Sequence, residues 1–214
     1  EGSSGALSEV ARKTVFFKYL TKLFGSLKSI ITSYFSYLVD PVCNILEPFY
    51  AEGAKEISKD DASLRVSVLN TLIVSFQYDR EEFWQAQARF DKIVAALIEQ
   101  IPTIDANHGN TLVKSIVGLA ETVSSPEQYK VINDKVLAHM QESCSVSEKI
   151  WAVRTMKALF GKLGEEWVTM LPQLVPVLAE LLEDDDESVE IEVRKNLVPV
   201  VEEVLGESLD RYLA

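Results

Sequence analysis

Residues 171–195 read LPQLVPVLAELLEDDDESVEIEVRK. A proline-opened apolar helix comes first, with Leu178, Leu181 and Leu182 on its apolar side. An acidic turn follows at residues 183–187, and then a second helix carrying the pair Val193-Arg194. Two short helices joined by a polar turn cannot bury both faces alone. Such a unit is stable when copies of it stack.

The pair recurs. Val153-Arg154 stands 40 residues before Val193-Arg194, and Val113-Lys114 stands 40 residues before that. Helix punctuation keeps the same beat. Ser125-Pro126-Glu127-Gln128 sets a cap, a proline in the first turn and a Gln at the third position, and Ser145-x-x-Glu148 is a capping box. Strict alternation and Asn-Gly or Asp-Gly hairpin turns are missing. The predicted fold is all-α, a HEAT-repeat α-solenoid of about four to five antiparallel helix pairs. The pairs expected are 27–50 with 62–76, 80–100 with 111–123, 126–143 with 147–163, and 168–183 with 188–205. A first helix over residues 7–24, stopped by Gly25, precedes them. Asp79-x-x-Glu82 predicts the start of the helix at 80, Pro41 the first position of a short helix, and residues 51–61 a loop. Gly161 or Gly164 ends the helix opened at Ser145, and Gly206 ends the last long one. Pro176 and Pro199 fall inside helical patterns and should bend them.

Composition sets the limits. The 214 residues carry a net charge of −12, and no run of 18 apolar residues offers a membrane span. Residues 1–5, EGSSG, read as a linker or cloning remnant, leaving 6–214 as one domain. The first residue is Glu1, as in a cut or processed chain, and no signal peptide is visible. Cys43 and Cys144 lack metal-ligand spacing and read as buried, reduced thiols. Charge is uneven: residues 165–214 hold 14 acidic and 3 basic residues, a net −11, against −1 for residues 1–164. An acidic chain is a poor partner for phosphate. The local exception is Arg12, Lys13, Lys18, Lys22 and Lys28 on the opening helix, which could face phosphate or an acidic neighbouring repeat. Phe16 and Phe17 beside them are expected in the core.

No catalytic, cofactor or metal site is predicted. The acidic run Glu183, Asp184, Asp185, Asp186, Glu187 and Glu190 lacks the Asp-x-Asp-x-Asp-Gly loop of a calcium hand. It reads as a solvated turn favouring the N-terminus of the next helix, and as a candidate patch for docking a basic protein. His108 and His139 have no second ligand at metal spacing, and Trp84, Trp151 and Trp167 sit at apolar spacing expected for helix packing.

Residues 164–213, with GEEW, LPQLVPVLAELLEDDDESVE and LGESLDRYL, resemble the closing unit of the HEAT repeat-containing protein 1 family, also called the U3 small nucleolar RNA-associated protein 10 family. Residues 16–46, FFKYLTKLFGSLKSIITSYFSYLVDPVCNIL, resemble the start of the same family's C-terminal region. Residues 51–142 carry no motif of their own, and there the resemblance rests on position. It implies a non-catalytic nuclear and nucleolar scaffold of the small-subunit processome, acting in pre-rRNA processing, ribosome biogenesis and rRNA transcription. Implied partners are other processome subunits and, through a much longer parent protein, pre-rRNA or a small nucleolar ribonucleoprotein; no cofactor and no membrane are implied. Rival readings of the helical pattern are an adaptor or transport-receptor segment and a HEAT-like DNA glycosylase. The glycosylase needs a basic concave face with a positioned acid beside aromatic rings, which the acidic last helices oppose.

Overall fold

The computed structural model describes residues 7–51 and 57–213; the expected linker at 1–5 lies outside them, as do residues 52–56 of the predicted loop at 51–61. All regular structure among the described residues is helical, as the periodicity predicts.

Helix α1 (Glu9–Leu27) starts at Ser8, whose Oγ accepts the Ala11 amide at 3.1 Å. It runs straight through Gly25, contrary to expectation. A mid-helix glycine costs only about 1 kcal/mol, and packing of α1 on its neighbour outweighs that. The stop is Lys28, at φ 53, whose amide closes onto the Phe24 carbonyl. Next comes a 3₁₀ helix (Lys28–Tyr37) where an α-helix was expected. Its three-residue turn brings Thr32, Phe35 and Leu38, spaced by three, toward the core. Helix α2 (Val39–Leu46) starts two residues before Pro41, which sits in the first turn, where its missing amide has no intrahelical carbonyl to lose.

Helix α3 (Lys59–Gln77) is capped by Ser58. The predicted helix start at 80 is wrong. Asp79 does not cap a helix: its carboxylate accepts the amides of Glu81, Phe83 and Trp84 at 3.3, 3.0 and 2.9 Å, folding a loop. Glu82 takes a left-handed backbone, φ 56, and so cannot be the third residue of a helix. The loop exists because Phe83 and Trp84 are both drawn inside. Trp84 is fully buried among Phe35, Phe76 and Phe83 with edge-on rings 5.0–5.1 Å apart, and its Nε1 donates to Ser75 Oγ. Helix α4 (Gln87–Ile98) therefore begins seven residues late.

Helix α5 (Gly109–Thr122) begins two residues before the expected 111, and α6 (Pro126–Ala138) and α7 (Val146–Leu163) begin where the caps put them. Ser125 accepts the Gln128 amide, and the capping box of Ser145 and Glu148 is closed in both directions. Of the two glycines proposed to end α7, Gly164 does so, at φ 57. The predicted helix over 168–183 divides into α8 (Glu165–Val168) and α9 (Leu171–Leu181). The predicted helix over 188–205 is α10 (Glu187–Glu192), a π-turn (Val193–Leu197) and α11 (Val198–Leu205), ended by Gly206 in the left-handed region. Pro199 explains the π-turn. Its ring would meet the carbonyl four residues back, so the ladder widens there and Val198 bonds the carbonyl of Val193 instead. A short α12 (Asp210–Leu213) follows.

The helices pack in two rows. In one, α1 lies on α3, α3 on α5, α5 on α7, and α7 on α10, the π-turn and α11. In the other, α2 lies on α4 and α4 on α6. Cross-contacts of α2 with α3, α4 with α5 and α6 with α7 join the rows, and one continuous apolar core runs between them. The three repeated valines, Val113, Val153 and Val193, are all buried and fall on successive members of the first row. The 40-residue spacing thus marks equivalent positions. Asn133 Nδ2 donates to Gln173 Oε1 at 2.9 Å and ties α6 to α9. Close approach within the first row depends on small residues. A Cβ at Gly109 would lie 2.2 Å from the Trp151 ring, so α5 can sit on α7 only with glycine there. All three tryptophans pack inside, as their spacing predicts.

Candidate docking surfaces

The acidic turn is less free than the sequence suggests. Asp184 is a buried anchor, not a solvated acid: Lys149 Nζ on α7 donates to its Oδ2 at 2.7 Å, and both side chains are less than a tenth exposed. Burial pushes the Asp184 carboxyl up, but the Lys149 hydrogen bond, the Asp186 amide and the Lys149 charge together hold it below the usual carboxylate value. Asp186 caps α10, accepting the Ser188 amide at 2.9 Å and the Ser188 hydroxyl, and these bonds lower its pKa. Glu190 pairs with Arg194 at 2.9 Å. Glu183, Asp185 and Glu187 are left as the exposed acids of the turn.

The opening helix keeps Arg12, Lys13, Lys18 and Lys22 exposed, as is Lys28 just past its end, with Lys13 bonded to Glu9 at 2.7 Å. Phe17 is in the core, as expected. Phe16 is not: it is half exposed, because α1 turns Thr14, Phe17 and Phe24 toward α3 and presents the opposite side outward. That side also bears Tyr19 and Leu23, and the 3₁₀ helix continues it with Ile30, Tyr34 and Tyr37. Together these side chains form an exposed apolar surface interleaved with lysines.

A third surface escaped the sequence reading. Three adjoining clefts run along the first row of helices. The central one, about 720 Å³, lies over α3, α5 and α7, with Ile73, Val113, Val117 and Ala158 on its floor and Arg80, Lys114 and Lys162 on its rim. A cleft of about 460 Å³ continues it toward α11, past Arg154 and Lys157. Another of about 480 Å³ continues it toward α1, past Lys18 and Lys22. Seven cations line this track against two carboxylates, Asp79 and Glu121. The whole-chain charge of −12 hid it. The signal that could have found it is the repeated pair itself, since Lys114 and Arg154 each follow a buried valine by one residue and so reach the rim.

Both histidines are tied to carboxylates. His108 Nδ1 is bonded to Asp105 at 2.7 Å, and His139 Nδ1 to Glu148, the acid of the capping box, at 2.7 Å. Among the described residues no three His, Cys, Asp or Glu side chains gather at metal-binding distance. Cys43 and Cys144 are unbridged and half-buried rather than fully buried, and burial raises the Cys43 thiol to about 11.

These features define a class: an all-α protein whose described helices stack in rows. Residues 1–84 match the family model described as the BP28CT (NUC211) domain. Over 212 residues the chain is 48% identical to the U3 small nucleolar RNA-associated protein 10 of Candida glabrata, covering 99% of this chain and 12% of that protein. The proteins of the same name from Eremothecium gossypii (47%, 97% of this chain, 11% of theirs) and Saccharomyces cerevisiae (46%, 100% and 12%) match as well. The chain belongs to the U3 small nucleolar RNA-associated protein 10 family and corresponds to its C-terminal region, about an eighth of these relatives' length. Their names declare an association with U3 small nucleolar RNA.

Proposed function

We propose that this chain is a non-catalytic scaffold segment working in the nucleus and nucleolus, within the small-subunit processome. It acts there in pre-rRNA processing, ribosome biogenesis and rRNA transcription. The observation that carries this reading is near-half identity along the whole chain to proteins named for U3 small nucleolar RNA association. The same reading makes residues 6–214 one domain and a HEAT-like solenoid. The two helix rows and the 40-residue register of Val113, Val153 and Val193 support it. Its partners are other processome subunits, with pre-rRNA or ribonucleoprotein contact through the longer parent protein. Glu183, Asp185 and Glu187 offer a patch to a basic partner, and the opening helix offers Arg12, Lys18 and Lys22 to phosphate or to an acidic neighbour.

A glycosylase reading finds little support. The negative charge of the last helices did not preclude a basic face, but the acids on that face are engaged: Asp79 by three amides and Glu121 by Lys162 at 3.2 Å. The relatives' names suggest neither a glycosylase nor a transport receptor.

The test is replacement. In yeast, the matching segment of the S. cerevisiae relative is exchanged for this chain or deleted. The scaffold reading expects deletion to reduce co-purified U3 RNA and to accumulate unprocessed small-subunit rRNA precursor, and this chain to restore both. Deletion that leaves both unchanged overturns the reading.

A further inference from the structure

We propose that the basic track across α1, α3, α5, α7 and α11 receives an acidic segment of a protein partner, one in which carboxylates alternate with apolar side chains. The proposal stands on the track itself, whatever larger assembly the chain joins.

The charge argument is local. Among the described residues, Lys18, Lys22, Arg80, Lys114 and Lys157 have no carboxylate within 4.0 Å, although the chain as a whole is strongly acidic. Elsewhere, bases are commonly paired: Lys149 with Asp184, Lys92 with Asp40, Arg194 with Glu190. Unpaired cations along one cleft, in a chain rich in acids, are held open for charge from outside.

The floor decides what kind of anion fits. Ile73, Val113, Val117, Ala158 and Val200 make it apolar. Single-stranded RNA is usually held by stacking bases on exposed rings. The rings on this lining are Phe76, 4% exposed, and His108, tied to Asp105. Bases would find no platform, whereas leucine-like side chains would find pockets between helices. A short peptide also brings fewer charges than a polyphosphate to a chain of net −12. Length agrees too. Helices pack about 8–10 Å apart, so the track runs roughly 35 Å, and an extended peptide of about ten residues covers it at about 3.3 Å per residue.

The experiment is fluorescence anisotropy on this chain at low and moderate salt. The probes are a labelled peptide of about twelve residues alternating Glu with Leu, its Lys-for-Glu counterpart, a single-stranded RNA of equal length and a short DNA duplex. The acidic peptide should bind, and its basic counterpart should not. The double variant Lys114→Glu/Lys157→Glu should weaken acidic-peptide binding at least about tenfold. Arg80→Glu, at an exposed site, should weaken it in the same direction, and guards against misfolding of the double variant. Lys130→Glu on α6, in the other row, should leave it unchanged. Absence of peptide binding at low salt overturns the proposal, as does binding indifferent to the groove variants. RNA or duplex DNA binding more tightly than the peptide, with the same sensitivity to Lys114 and Lys157, makes the track a nucleic-acid surface and overturns it equally.

Discussion

Lys149 and Asp184 form a nearly buried ion pair, 2.7 Å from Nζ to Oδ2, that pins the acidic turn to α7. Asp185, the next residue, is exposed. The two neighbouring acids therefore answer differently to the same change. Asp184→Asn leaves a buried ammonium without its counter-charge, and we expect a loss of about 3–5 kcal/mol in denaturant unfolding. Asp185→Asn should change stability by less than about 0.5 kcal/mol. Equal effects would show the Asp184 pair to be no more than a surface contact.

Acid should find the same pair. The folded Asp184 carboxyl lies below its ordinary value, so its contribution is present above the unfolded pKa of 3.8 and is lost as pH falls through the folded value. Melting curves of the native chain should fall steeply below about pH 4. In Asp184→Asn that part of the fall should be missing. A variant that tracks the native curve in parallel through this range would contradict the assignment.

Gly109 and Trp151 test the approach of α5 to α7. A Cβ at residue 109 meets the indole at 2.2–2.4 Å, and Trp151 is too buried to swing aside. Gly109→Ala should cost about 1–3 kcal/mol as overpacking, although alanine is the better helix former. Gly25→Ala, with open space around it, should be neutral or stabilising. Opposite signs at two helical glycines are the expected outcome of chemical denaturation.

Burial divides the apolar residues in the same way. Leu178 on α9 is fully buried, and Leu178→Ala should cost about 2–5 kcal/mol. Tyr19 on α1 is 68% exposed, and Tyr19→Ser should leave melting within the range of ordinary surface changes, about 0.5 kcal/mol. If that face docks a partner, the same change should weaken retention of the protein in its particle without touching its fold. A melting loss at Tyr19 as large as that at Leu178 would mean α1 packs differently.

What could be read in advance was local. Ser125, Ser145 with Glu148, and Gly206 act through bonds or backbone angles within a turn of their own position, and each does what its pattern predicts. Asp79-x-x-Glu82 has the same pattern and fails, because burial of Phe83 and Trp84 draws the chain into a loop that uses the same carboxylate. Gly25 failed as a stop because the packing of a neighbouring helix outweighs a weak preference. Phe16 and Phe17 are alike in sequence, and only the direction of α3 separates them. The candidate sites were less legible still. Whether an acid is anchored like Asp184 or free like Asp185 depends on a lysine 35 residues away. The groove is assembled from five helices, and its charge is invisible in any total over the chain.

The π-turn beside Pro199 carries one residue more than a regular ladder needs. The inward side chains around it, Val189, Val193, Leu197 and Val201, are each four apart and all fully buried. A straight helix advances about 100° per residue, so three such steps would swing that line by about 120° and turn its far end toward water. The widened turn takes part of the rotation back and keeps the four in one file against α7. The last long helix therefore behaves as if a residue had been inserted into it. Removing a single residue between 193 and 197 would spoil the fold, because everything after the cut would be rotated out of register with the row it closes.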